Sequence, residues 1–262
     1  MRIATWNING IKARIQNLLD WLDQAKPDVV CLQELKSTED NVPRLEIEAL
    51  GYHCAIHGQK SFNGVAILSR EPMEDVMVRL PGDDTDEQAR YIEAVIPAGN
   101  TVIRVGGLYL PNGNPLGTEK FPYKLAWFER LIAHCKDRLS LEEPFLLAGD
   151  YNVIPAPDDV YDPEAWTDDA LYQPESRGAL ATLTSLGMTE AVAAVAPGTG
   201  NYTFWDYQGG AWQKNHGIRI DHILLSPEAS DRVIGAGIEK QTRSWEKPSD
   251  HVPVWVELDV GR

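Results

Sequence analysis

The sequence is short of cysteine, of positive charge and of long apolar runs. Its three cysteines, Cys31, Cys54 and Cys135, are widely spaced and form no C-x-x-C pair. That excludes a disulfide framework or zinc module and suits a reduced cytoplasm. No apolar run approaches the roughly 20 residues a bilayer-spanning helix needs. The opening "MRIATWNING" leads straight into an expected strand, with no basic start and apolar stretch to mark a secretion signal. Lys and Arg number 24 against 39 Asp and Glu, a net charge of −15. Taken as a sum, this argues against a nucleic-acid partner. Charges interact strongly only within a Debye length of about 8 Å, however, so their distribution decides. The segment "PAPDDVYDPEAWTDDALYQPES" (155–176) alone holds seven acids and no Lys or Arg. Elsewhere cations come in small groups, Lys120 with Lys124, Lys214 with Arg219 and Arg243 with Lys247, which leaves room for a basic rim around an acidic centre.

What is present is enough for a sizeable core: 43% hydrophobic residues and eight tryptophans. Apolar runs predict strands over 2–6, 28–33, 64–69, 144–148 and 218–225, and over the two arms of a hairpin turning at "PAGN" (97–100). Helical spacing predicts helices over 11–25, 119–139 and 176–186, the last with Ser176 as N-cap and Gly187 at its end. The hairpin means antiparallel pairing, and the helices alternate with strands. The fold class is therefore α/β, with two packed mixed sheets and helices on the outer faces. No Pro- or Ser-rich linker divides the chain, so residues 1–262 read as one domain. "IATWNING" and "LLAGDYNVI" share a weak repeat, an apolar strand followed by Asn.

Polar residues cluster where these strands start or end. Asn7 follows "RIATW", Glu34 follows "VVCLQ", and Tyr109 lies near the end of "VIRVGGLYL". Asp150 and Asn152 follow "FLLAG", Asp221 lies early in "IRIDHILL", and Asp250 and His251 precede "VPVWVEL". One acid at a strand end is an ordinary turn residue. Six such places in one layered fold point to a shared edge where a ligand binds. The set is rich in carboxylates and amides, with one His and one Tyr. That suits a hard cation such as Mg²⁺, with Mn²⁺ as substitute, rather than zinc. A cation so held leaves positions open for a phosphate. In "GDYN", residues i and i+2 of an extended chain face one side, so Asp150 and Asn152 could share a water; an Asx turn is the competing reading. Pro253 pushes Val252 toward extended backbone, so regular pairing should start only after His251.

The motifs "WNINGI", "LQELK", "GVAILS", "LYLPNG", "GDYNV", "YTFWDY", "GIRIDHILLS" and "KPSDHVPVW", in order, resemble the exonuclease III family of apurinic/apyrimidinic endonucleases. The likeness runs from about residue 1 to 257. It implies a four-layer α/β sandwich and a Mg²⁺-dependent DNA-repair nuclease. Such an enzyme cuts duplex DNA 5′ to an abasic site and acts on 3′ ends as exonuclease and phosphatase. It also implies roles: Glu34 as main metal ligand with Asn7 and Asp250 near it, Asp150 for the attacking water, and Asn152 to hold water or phosphate. Asp221 would orient His251 against the phosphate, and Tyr109 and Asn112 would contact it. An apolar pocket of Phe204, Ile218 and Ile220 would select a sugar lacking its base. The phosphate track would draw on Lys36, Lys60, Arg90, Lys120, Lys124, Arg177, Lys214 and Arg243. His222, next to Asp221 on a strand, should face away. The chain is expected to act as a monomer. A phosphoinositide or sphingomyelin phosphodiesterase would want membrane-binding loops, which are not seen, and a silent DNA-binding protein would not keep this set of side chains.

Overall fold

The computed structural model describes residues 1–261. Its strands are β1 (Arg2–Asn7), β2 (Val29–Gln33), β3 (His53–His57), β4 (Val65–Ser69), β5 (Glu74–Val78), β6 (Tyr91–Ala98), β7 (Thr101–Tyr109), β8 (Phe145–Asp150), β9 (Thr189–Glu190), β10 (Asp221–Leu225), β11 (Val233–Ile238) and β12 (Val254–Leu258). Its α-helices are α1 (Ile15–Ala25), α2 (Arg44–Glu48), α3 (Lys120–Leu139), α4 (Pro174–Ser185), α5 (Ala191–Val195), α6 (Ala211–Lys214) and α7 (Pro227–Ser230). The strands form two six-stranded sheets, ordered β11-β12-β1-β2-β4-β3 and β5-β6-β7-β8-β10-β9. Each contains one parallel pair, β1 with β2 and β7 with β8, flanked by antiparallel neighbours. The sheets are mixed, as expected.

Alternation along the strands builds four layers. On β1, Ile3 faces the other sheet, while Ala4 and Trp6 face outward to Leu18, Trp21 and Leu22 of α1. On β8, Leu146 and Ala148 join the inter-sheet core; Phe145 and Leu147 pack outward against Trp127, Phe128 and Leu131 of α3. The weak repeat has a structural counterpart. β1 and β8 occupy equivalent places, each with a parallel neighbour on one side and an antiparallel one on the other. Gly149 sits where β8 runs against β7, and a Cβ there would collide with the Leu108 carbonyl oxygen.

Several boundaries differ from expectation. The α1 pattern starts at Ile11, but the helix starts at Ile15, because Gly10 and Ile11 give their N–H groups to Glu34 and Leu35 and stay tied to the neighbouring chain. Ser176 is not an N-cap. The helix begins at Pro174, and the Ser176 hydroxyl donates to the Ala170 carbonyl at 2.7 Å. The 218–225 strand begins at Asp221, since Ile218 pairs with Phe204 and the Ile220 carbonyl accepts from Tyr151. Regular pairing after His251 starts at Val254.

One buried charge holds the outer layer to the second sheet. Glu93 on β6 accepts from Tyr91 Oη (2.7 Å), His134 Nε2 (2.7 Å), Arg104 (3.0 Å) and Arg138 (2.6 Å). Burial alone would raise its carboxyl. The hydrogen bonds from His134 and Tyr91 and the nearby positive charges outweigh it and hold the group at about 2. The native state therefore binds fewer protons than the unfolded chain between about pH 4.5 and 2, and this part of the stability is lost as pH falls through that window. Glu93→Gln, which leaves the cations unpaired, should cost about 3 kcal/mol, read from urea unfolding at pH 7.

Candidate active site

The strand ends meet as the register dictates. Asn7 lies opposite Gln33, the residue before Glu34, on the parallel pair β1 and β2; Tyr109 lies opposite Asp150 on β7 and β8; Asp221 lies opposite Asp150 on β10. β12 runs antiparallel to β1, which brings the residues before it to the same edge. The result is a cavity of ~200 Å³ whose lining includes Glu34, Tyr109, Asn112, Asp150, Asn152, Phe204, Ile218, Ile220, Asp250 and His251.

His251 is held on both sides. Its Nδ1 lies 2.9 Å from Asp221 Oδ2, and its Nε2 lies 3.7 Å from Asp150 Oδ2. The Phe204 ring lies edge-on at 5.0 Å, and Trp6 Nε1 donates to the His251 carbonyl. Burial by itself would pull the imidazole down, but Asp221, Asp150 and Asp250 raise it to about 10, so it is charged at neutral pH. Asp221 accepts a second bond, 2.6 Å from Thr203 Oγ1. Asp150 is different. Its Oδ1 accepts from the Asn152 N–H (2.9 Å) and its Oδ2 from Asn7 Nδ2 (3.0 Å). Burial raises its carboxyl to about 7 despite the His251 charge, with Asp221 adding to the rise. The Asx turn thus exists. Asn152 has a left-handed φ of 48°, so the extended-chain reason for its facing Asp150 does not hold, although both line the cavity. The Asn152 amide donates to the Leu110 carbonyl and accepts from Asn112.

Glu34 forms the other wall. It accepts from Tyr109 Oη (2.8 Å) and Asn7 Nδ2 (3.0 Å), and its Oε2 lies 2.8 Å from Lys36 Nζ. Burial would raise its carboxyl; the Lys36 hydrogen bond and charge win and lower it. The same ammonium lies 2.5 Å from Asn9 Oδ1. Oxygens of Glu34 and Asn9 therefore already converge on a cation, and with no sulfur and one imidazole in the cavity this donor set fits a hard divalent ion. Asn7 accepts from the Asn9 N–H through its oxygen and donates through its amide to Glu34 and Asp150. Asp150, Asp221 and His251 also bring ligand atoms within 4.8 Å of one another. Asp221 of this group is also engaged by His251 and Thr203. Asp250 reaches the cavity and accepts from Asn9 Nδ2 at 3.0 Å.

The phosphate track needs correction. Lys124 is fully buried, with Nζ on the carbonyls of Asn112 (3.0 Å), Asn152 (2.5 Å) and Ala170 (3.4 Å), so it clamps three loops and cannot meet DNA. Burial pulls its ammonium down to about 7. Arg243 is buried and donates to the Trp205 and Asp206 carbonyls. Arg90 lies over the Tyr109 ring at 5.0 Å and Lys120 is exposed at the start of α3; neither lines the cavity. His222 faces away, bonded to the Val153 carbonyl. The sequence reading missed Thr203, which donates to Asp221, and the loop residues Trp166, Asp169 and Leu171 in the cavity lining. Thr203 carried a signal, a lone hydroxyl inside the aromatic "YTFW"; Trp166 had none, since it belongs to no regular strand or long helix.

Residues 4–251 match the Endonuclease/Exonuclease/phosphatase family. A protein named exodeoxyribonuclease III from Haemophilus influenzae is 32% identical, covering 98% of this chain and all of its own length. The DNA repair nuclease APEX1 of Danio rerio is 28% identical over 99% of this chain and 83% of its own. Among solved structures, a 3′ phosphatase, NExo, from Neisseria bound to a product DNA hairpin superposes with a TM-score of 0.95 at 37% identity, over 99% of both chains. An AP endonuclease from Archaeoglobus fulgidus gives 0.94 at 35% identity, over 99% of this chain and all of the other. In this chain Asp221→Asn should lower the His251 pKa by about one unit or more, followed by NMR titration of the imidazole. An unchanged value would mean that Asp221 does not hold the charge.

Proposed function

The chain belongs to the endonuclease/exonuclease/phosphatase family, and from its site we propose how it works as a DNA-repair nuclease, a hydrolase of DNA phosphodiester bonds. Residues 1–262 act as one catalytic domain, as a monomer in the reduced cytoplasm; no described helix is long and apolar enough to cross a membrane. The substrate is duplex DNA with an abasic site or a 3′ end, cut to leave a 3′ hydroxyl.

The observation that carries this is His251 held by Asp221 at 2.9 Å through Nδ1 while its Nε2 lies 3.7 Å from Asp150 in one cavity. The imidazolium, fixed by Asp221, donates from Nε2 to a phosphate oxygen and offsets its charge. Asp150, with a carboxyl near neutrality, takes a proton from the attacking water; this assigns it the base role. Asn7 keeps the Asp150 carboxylate facing the cavity. Asn152 and Asn112 orient the water and phosphate with their free amide hydrogens. Tyr109, pushed well above its ordinary value by burial and by Glu34 and Asp150, remains a protonated donor beside them. Glu34, with Asp250 near it, would hold Mg²⁺, with Mn²⁺ able to replace it; when bound, the ion polarises a phosphoryl oxygen and steadies the leaving oxygen. Phe204, Ile218 and Ile220 face the sugar, and Arg90 and Lys120 lie toward the flanking phosphates.

Duplexes carrying one abasic analogue or a 3′ phosphate test this. The protein should process them with Mg²⁺ and not with EDTA. Asp150→Asn should lower the rate by about 10²-fold or more while DNA affinity, measured by anisotropy, stays the same. Loss of binding and folding together would make Asp150 a structural residue instead.

A further inference from the structure

Lys124 takes no part in the chemistry proposed for the cavity, yet it bonds the backbone of two residues that do. It lies near the start of α3, is fully buried and does not line the cavity. Its Nζ donates to the carbonyls of Asn112 (3.0 Å), Asn152 (2.5 Å) and Ala170 (3.4 Å). The Ala170 carbonyl has a second donor, the Ser176 hydroxyl at 2.7 Å. Among the described residues, the Asn112 and Asn152 carbonyls have no donor but Lys124. Both residues lie outside any strand or helix, so no ladder fixes them. The loop at Asn112 also closes on the stem of the lysine. A Cβ on Gly113, whose φ is 93°, would lie 2.8 Å from Lys124 Cδ.

From these two anchored backbones the side chains reach the cavity and each other. Asn112 Nδ2 donates to Asn152 Oδ1 at 3.2 Å, and Asn152 Nδ2 donates to the Leu110 carbonyl at 2.8 Å. Both side chains line the cavity with Asp150 and His251. The two amides are thus interlocked over one ammonium, and a shift of either carbonyl disturbs both. An ammonium has three N–H donors and no acceptor, which matches three carbonyls. A neutral amine has two donors and a lone pair that repels the third. Asp150 at the end of β8 and Asp169 in segment 155–176 are the charged groups that favour the protonated form, against the effect of burial. Loop 110–114 brings no charge.

Resting on the nuclease reading above, we propose that Lys124 is a positioning residue, whose ammonium sets Asn112 and Asn152 where their amides meet the water and the phosphate. The amides lose that placement when the ammonium is removed or gives up its proton. Lys124 touches no substrate, so its effect falls on the chemical step and not on DNA binding.

The test uses a nicked duplex bearing a 3′ phosphate, with Mg²⁺. Lys124→Met should lower kcat by about 10²-fold, the cost of a small misplacement of catalytic groups. KM should stay the same, and so should DNA affinity measured by anisotropy with EDTA present. Lys124→Arg, which keeps a charged donor, should recover part of the loss. By NMR, the side-chain amide signals of Asn112 and Asn152 should move in Lys124→Met while that of Asn17 on α1 stays. A measurement on the wild-type protein serves even where Lys124→Met does not fold. As pH rises, the Asn112 amide signal should titrate with the same midpoint as the Lys124 Cε signal, at about 7. A folded Lys124→Met with wild-type kcat overturns the inference, as does a loss carried by KM and DNA affinity instead of kcat. So does an Asn112 signal that stays still while Lys124 loses its proton. Wild-type protein inactive on this duplex overturns the nuclease reading instead, and the amide signals then decide by themselves whether Lys124 places the two side chains.

Discussion

Glu34 and Asp150 line one small cavity, with Asp221 bonded to the His251 that lines it too, and much of what surrounds them follows from that crowding. Carboxylates so placed cannot all stay ionised out of water without cations beside them. Asp221 has His251 in direct contact, and Glu34 has Lys36. Asp150 has no cation nearer than the far nitrogen of His251, and burial raises its carboxyl to about 7. Asn7 stands between two of them and donates to both, which only an amide can do without adding charge.

The same rule acts elsewhere in the fold. Glu93 is buried under α3 and draws in two arginines, a histidine and a tyrosine. Lys124 is the inverse case, a cation buried with no carboxylate in contact. Carbonyls from three loops surround it, and burial lowers its affinity for a proton. Those loops carry Asn112, Asn152 and the end of the acidic segment. They have no ladder to fix them, so one ammonium does what strand pairing does elsewhere.

Central strands, the long helices and the cavity side chains at strand ends were legible in the sequence, because burial on both faces leaves long apolar runs and their ends leave polar interruptions. The strands β3, β5, β9 and β11 were not legible, and they are the four edges of the two sheets. Edge strands bury little; β5 and β11 contain no fully buried residue, so their patterns carry no clear period. Charge roles misled for a related reason. Lys124 and Arg243 look like surface cations in a list of residues, and only tertiary packing shows that backbone carbonyls have taken them inside. Asn152 was placed correctly for the wrong reason, because a left-handed turn, not an extended strand, brings it beside Asp150.

A net charge of −15 is compatible with acting on a polyanion because the negative charge has direction. At the cavity Asp221 and Glu34 contact His251 and Lys36, so an incoming phosphate meets the imidazole and the amides as well as carboxylates. Outside it, the excess is concentrated in a segment whose two ends are pinned by Arg219 and by Asn114 with Lys124. A flexible acidic tail would be pushed aside by DNA and would cost little to displace. A pinned one cannot move away without breaking a buried ion pair and exposing the apolar cluster around Ile218. Its charge is therefore a fixed feature of one side of the site.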